Sequence, residues 1–449
     1  MASAAEQLAA NINMKAFSKA TDLQKRIWFT IGVLIVYRLA TYIPLPGINT
    51  AVMAEFAHSH GGGIFGMVDM FSGGALSRMS IMALNIMPYI SASIIVQLMT
   101  AVAPQFEALK KEGESGRRKL NQYTRYLTVL IAVMQAYGAA VGLESMHGAA
   151  GSAVMDPGLF FRLTTIITIV GSTLFLMWLG EQITSRGIGN GISLIIFAGI
   201  VANLPSSIIN ALELGRTGAL SYIFVLFILM FSVAMIAFIV FMERAQRRIL
   251  VQYPKRQVGS KMFSGESSHL PIKLNSTGVI PPIFASSLLM LPVSLIELSG
   301  GQGPAWMQWI FGSLHKGGTV YICIYLFLIV FFAFFYTSIV FNPQETAENL
   351  KKNGGFIPGH RPGINTANYL DSVVTRLTVM GAAYLAFVCA VPEFFYAAYS
   401  LPFYLGGTTF LIAVSVPMDT VAQIHSHLLA HQYEGLLKKT RFSKSARNT

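Results

Sequence analysis

Residues 219–241 read ALSYIFVLFILMFSVAMIAFIVF, and this run decides the fold. It carries no charge, and at 1.5 Å rise per residue a helix of this length crosses a hydrocarbon core roughly 30 Å thick. In lipid the backbone must satisfy its own hydrogen bonds, so the run is a transmembrane helix rather than a strand. The next residues, MERAQRR (242–248), bring Arg244, Arg247 and Arg248 and mark the inner side of the membrane.

Similar runs recur near 27–43, 80–102, 122–142, 159–179, 191–209, 278–297, 318–340, 373–393 and 402–422. Together they predict an all-α membrane protein with about ten spans. Composition agrees. Of 449 residues 53% are hydrophobic and 12% charged, where a soluble domain carries roughly 25% charged residues. The net charge of +12 then belongs to inner loops and does not imply a nucleic-acid partner. Inner segments collect most of the cations, among them Lys15, Lys110, Arg117, Arg256 and Lys438, while the outer loops hold only Arg78, Arg216 and Lys316. This bias puts both termini inside. The N-terminus does not read as a cleavable signal, since polar sequence runs to Arg26 and no small-residue cleavage site follows. Residues near 5–24 suit a short interfacial helix.

Ten spans divide into five and five, so related halves would be inverted, with a pathway at their interface. The halves are expected at 1–209 and 210–422, followed by an inner tail at 423–449. The middles of the spans lack Asp, Glu and His. This disfavours an ion-coupled secondary transporter of small solutes, which is the rival function. No HExxH pair, P-loop or dinucleotide fingerprint is present, so no catalytic residue, metal site or cofactor is expected, and the chain does not read as an enzyme. Cys323 and Cys389 lie in apolar runs and read as small buried hydrophobes.

Several loops carry more than topology. GGGIFGMVDMFSGGALSR (61–78) lies outside, with an apolar part too short to span and glycines at both ends that suit hinges. Such a piece at membrane depth must be buried in protein or line a cavity. The inner loops near 242–277 and 341–372 exceed what topology needs, and the second has a turn-rich tip, GGFIPGHRPG, around Arg361. Ile86 and Ile90, and likewise Ile192 and Ile196, lie four apart on one helix face. Taken alone, these pairs read as packing residues.

The segments MFSGGALSR (70–78), IMPYISASII (86–95), KKEGESGRRK (110–119), GEQITSRGIGNGIS (180–193), FNPQETAENLKKNGGF (341–356), HRPG (360–363) and PFYLGG (402–407) occur in this order. They closely resemble the SecY family, the central subunits of bacterial protein-export channels. The resemblance implies two inverted five-helix halves around a central pore. It implies a pore ring of Ile86, Ile90, Ile192, Ile196, Ile283 and Ile412, and a short re-entrant plug helix within 64–78 that includes Ile64, Phe65, Met67, Met70, Phe71, Gly73 and Gly74. It also implies a lateral gate between spans 2–3 and 7–8 with a polar cluster of Ser91, Gln135 and Asn275. The inner loops resemble a docking site for the SecA motor ATPase and the ribosome, through Arg256, Lys261 and Arg361. One departure stands out: where some relatives carry two adjacent arginines, this chain has Ser260 and Lys261. The implied setting is the bacterial inner membrane. The implied partners are SecE and SecG subunits, SecDF-type accessory proteins, signal-bearing preproteins and lipid. The implied function is passive conduction of unfolded preproteins and lateral release of hydrophobic segments.

Overall fold

The computed structural model describes residues 20–53, 55, 69–148, 151–218, 221–253, 256–258, 261–263, 267–297, 318–399 and 406–445. In chain order the helices are α1 (Thr21–Ala40), α2 (Met87–Val102), α3 (Pro104–Lys111), α4 (Glu114–Ser145), α5 (Leu159–Arg186), α6 (Gly191–Arg216) and α7 (Tyr222–Arg244). They continue with α8 (Ile280–Glu297), α9 (Thr319–Val340), α10 (Pro343–Lys352), α11 (Ile364–Tyr399) and α12 (Gly407–Ser445). Among the described residues, seven helices (α4, α5, α6, α7, α9, α11 and α12) are long and apolar enough to cross a membrane, and α2 with α3 adds an eighth if the pair is one bent span. Helices α1 and α8 lie where the first and seventh expected spans fall.

Local chemistry sets several boundaries. Asn190 caps α6, its Oδ1 accepting from the Ile192 amide at 3.1 Å. Asn342 caps α10 through the amides of Gln344 and Glu345, with Pro343 in the first turn. Between α2 and α3 the chain bends by 97°. Ala103 is extended there and Pro104 follows it, and a residue before proline is steered away from the helical region.

The expected span at 80–102 is helical only from Met87. Residues 81–86 run as successive turns, with Met79 at φ 43° and Asn85 at φ 48°. Non-helical backbone survives at membrane depth only where protein satisfies it, and here it does. Leu45 N donates to Met79 O at 3.0 Å and Ile81 N to Ile43 O at 2.9 Å. The Ser172 hydroxyl donates to Ile81 O.

Helices before and after residue 209 meet along two main seams. On one, α8 packs against α2 and α4; on the other, α6 packs against α7 and α12. An apolar core takes residues from nearly every helix of the bundle.

The loop at 242–277 is not irregular. It forms an antiparallel ribbon, β3 (Gln246–Gln252) with β6 (Ser267–Lys273), in register from Gln246↔Lys273 to Gln252↔Ser267. A smaller pair, β4 (Arg256–Val258) with β5 (Lys261–Phe263), lies farther along the same loop. Alternation along QRRILVQ buries Ile249 and Val251 on one face. That face shares a separate core with Ala347, Ile357, Leu370 and Leu377, so the two long inner loops form one folded head. Paired backbone hydrogen bonds of 2.9 Å between Gln252 and Phe356 join them. The two-residue strands β1 (His147–Gly148) and β2 (Gly151–Ser152) pair between α4 and α5.

Candidate functional site

The isoleucines implied as a pore ring come from four elements and enter a single apolar cluster. Ile86 sits at the N-cap of α2 and Ile90 one turn on; both are buried. Ile196 on α6 and Ile412 on α12 are buried too, while Ile192 on α6 and Ile283 on α8 are partly buried against the same cluster. Four helices therefore contribute all of them to one apolar core. Branched aliphatic side chains offer water and ions no hydrogen bonds, so a narrow constriction lined by them dewets.

Of the residues implied as a plug, Ile64, Phe65 and Met67 lie outside the described residues. Met70 and Phe71 belong to the same cluster as the isoleucines, and the Thr409 hydroxyl of α12 reaches Met70 Sδ at 3.5 Å. The segment that follows is gripped by its backbone carbonyls. Asn203 Nδ2 donates to Asp69 O at 3.3 Å, Asn85 Nδ2 to Phe71 O at 2.7 Å and Tyr37 OH to Ser72 O at 3.4 Å. Two guanidinium groups converge on Gly73 O: Arg38 Nη1 at 2.6 Å and Arg78 Nη2 at 3.1 Å. Tyr42 presents its ring to both, with the Cζ atoms of Arg38 and Arg78 at 5.0 and 4.3 Å from the centroid. Gly73 has φ +71°, and a Cβ there would lie 2.9 Å from Gly199 Cα on α6. Of the glycines expected as hinges, Gly73 and Gly74 are thus held at close quarters, and Gly61, Gly62 and Gly63 lie outside the described residues. Sequence reading missed the grip of Tyr37, Arg38, Arg78, Asn85 and Asn203. The available signal was Arg38, a cation inside an apolar span with no acid nearby in sequence.

The implied gate residues do not meet one another through a shared hydrogen bond. Ser91 is buried on α2. Gln135 lies on α4, and its Oε1 is buried without a hydrogen-bond partner among the described residues. Asn275 precedes α8 and is buried, but Nδ2 donates to Glu243 Oε1 at 2.7 Å and to Gly278 O at 3.1 Å. Its Oδ1 accepts from the Thr277 hydroxyl at 2.9 Å. Nothing in the local sequence marks Glu243 as the partner of a residue 32 positions away.

In the loops implied as a docking site, Arg256 and Lys261 stand on β4 and β5, and Ser260 lies outside the described residues. Arg361 is exposed on the tip between α10 and α11. Its backbone is held firmly. The Thr366 hydroxyl donates to Arg361 O at 2.9 Å, His360 N donates to Ile357 O at 3.1 Å, and the His360 ring stacks on Tyr369 with centroids 4.1 Å apart. A fixed backbone carrying a free guanidinium suits a partner that offers carboxylates or phosphates.

Comparison with known proteins reports on the same architecture. The SecY family model matches residues 80–421. The protein translocase subunit SecY of Rickettsia typhi is 54% identical over 425 residues, covering 94% of this chain and 98% of that protein. That of Escherichia coli K12 is 52% identical over 419 residues, covering 93% and 94%. Among solved structures, a protein conducting channel superposes with a TM-score of 0.64 at 19% identity, covering 90% of this chain and 92% of the other. Sec61 from the canine ribosome–channel complex of the endoplasmic reticulum gives 0.61 at 18%, with the same coverage. These structural likenesses concern the fold, and the sequence matches go further: the chain belongs to the SecY family.

Proposed function

We propose that this chain is the central subunit of a protein translocation channel. It conducts unfolded preproteins across the bacterial inner membrane and releases hydrophobic segments sideways into lipid. One observation carries the reading. Ile86, Ile90, Ile192, Ile196, Ile283 and Ile412 gather in one apolar cluster with Met70 and Phe71 seated against it. A constriction built this way excludes ions when closed and grips any extended peptide without sequence preference. In this reading 1–209 and 210–422 are the two halves, and the seam of α8 against α2 and α4 is the lateral gate, with Ser91, Gln135 and Asn275 near it.

Energy comes from outside the chain, from the SecA motor or a translating ribosome docked on the ribbon and on the Arg361 tip. SecE and SecG complete the complex, and both termini face the cytoplasm. The rival function, uptake of a small solute, would need polar side chains lining the waist, where this reading puts aliphatic ones. Depletion of the chain in cells decides the matter. Signal-bearing preproteins should accumulate unprocessed within the lifetime of the pre-existing pool. Normal processing together with a lost solute-uptake activity would reject the channel.

A further inference from the structure

We propose that Glu243 and Asn275 form the joint through which the inner ribbon moves helix α8. The inference rests on the channel reading above.

The ribbon has two roots. β3 leaves the end of α7 three residues after Glu243, and β6 leads through residues 274–279 into α8. The roots are closed on each other by the Gln246↔Lys273 pair and by Leu274 N donating to Ala245 O at 3.0 Å. Beyond them, the ribbon is held to α11 by the shared core of Ile249, Val251, Ile272, Leu370 and Leu377. A Cβ on Gly381 of α11 would lie 3.0 Å from Leu274 O, so backbone packs on backbone there. Up to residue 274, then, ribbon, α11 and the end of α7 make one block.

The linker to α8 is tied to that block by Asn275. Both Nδ2 bonds and the Oδ1 bond are committed: to Glu243, to Gly278 O and from Thr277. The first is a 2.7 Å bond to a carboxyl oxygen at a part-buried site, and low local dielectric strengthens such a bond. The second folds the linker back at Gly278, where φ is +62°. Two residues later α8 begins, and Ile283 lies within its first turn. A displacement of the block therefore reaches Ile283 and the face that α8 presents to α2 and α4. A further link from this root, Lys273 Nζ to Asp419 Oδ1 at 3.5 Å, joins two well-exposed side chains and transmits little.

The test uses the complete channel complex reconstituted in vesicles, with Glu243→Ala, Asn275→Ala, the double variant and Glu243→Gln. Motor ATPase is measured against channel concentration, separating the half-saturating concentration from the maximal rate. Each alanine variant should lower the maximal rate and preprotein export several-fold and leave the half-saturating concentration unchanged. The double variant should be no worse than either single one, as for two members of one contact. Glu243→Gln keeps an acceptor oxygen for Asn275 Nδ2 and should retain most of the activity. Hydrogen exchange of amides 276–283, which needs no partner, should speed up in the alanine variants only. Additive losses in the double variant, a parallel rise in half-saturation, or unchanged exchange at 276–283 would overturn the joint. Arg361→Glu, run alongside, separates the two ideas. If it leaves motor docking intact, the docking reading fails, while the exchange result still decides the joint.

Discussion

Replacing Gly73 with alanine should weaken the closed outer seal without unfolding the protein. Gly73 sits at φ +71°, where an L-residue is strained by about 1–2 kcal/mol. The added Cβ would also lie 2.9 Å from Arg38 Nη1 and 2.9 Å from Gly199 Cα. Arg38 can swing aside, though only by loosening its 2.6 Å bond to Gly73 O. The α6 backbone at Gly199 cannot, so the segment itself must retreat. If the strain is confined to the closed arrangement, the open population rises by roughly 5–30-fold, since each 1.4 kcal/mol is about tenfold. Single-channel conductance in planar bilayers reads this directly, as more frequent openings with no preprotein present. Export of a preprotein with a weakened signal sequence should improve, because its binding energy barely opens the wild-type gate. Gly32→Ala is the control: nothing lies within 4 Å of a Cβ there, and both assays should be unchanged. If Gly73→Ala lowers thermal stability while opening frequency and weak-signal export stay at wild-type values, segment 69–74 is a static part of the fold and the reasoning fails.

Further outcomes follow from the same geometry. Arg361→Glu should impair export at normal abundance, since the tip keeps its Thr366 and Tyr369 supports and loses only its cation; normal export would remove the docking role. Ile90→Asn places an amide in the apolar cluster and should raise ion leakage through the resting channel, read as dissipation of a potassium gradient from vesicles. Gly355→Val should pry the two inner loops apart, because a Cβ there already lies 3.1 Å from Tyr253 Cε1 and from Val251 Cγ1. Faster proteolysis within 242–277 and weaker motor docking are expected, and an unchanged digestion pattern would show that the head tolerates the extra volume.

Much of this protein was legible before folding was considered. Hydropathy over about 20 residues marks a span whatever surrounds it, and Lys and Arg in short loops set its direction, because both signals act on each segment separately. Seven of the expected spans appear as helices long and apolar enough to cross, and the motifs from MFSGGALSR to PFYLGG named the family that the comparisons show. The inner loop at 242–277 was less legible. Its alternation at Ile249 and Val251 is a strand signal, but it is short and cation-rich, and the face it buries exists only because residues 347–377 supply the other side. Tertiary structure alone decided that residues 81–86 run non-helically through an apolar stretch, since those turns survive only where Ile43 and Ser172 meet their backbone groups. It also decided that Arg38 holds Gly73 and that Asn275 turns to Glu243. A hydrogen bond is settled by distances of a few tenths of an ångström between residues that the chain itself leaves far apart. Composition and periodicity carry each residue's preference for water or lipid, and hold no information about which polar group another will reach.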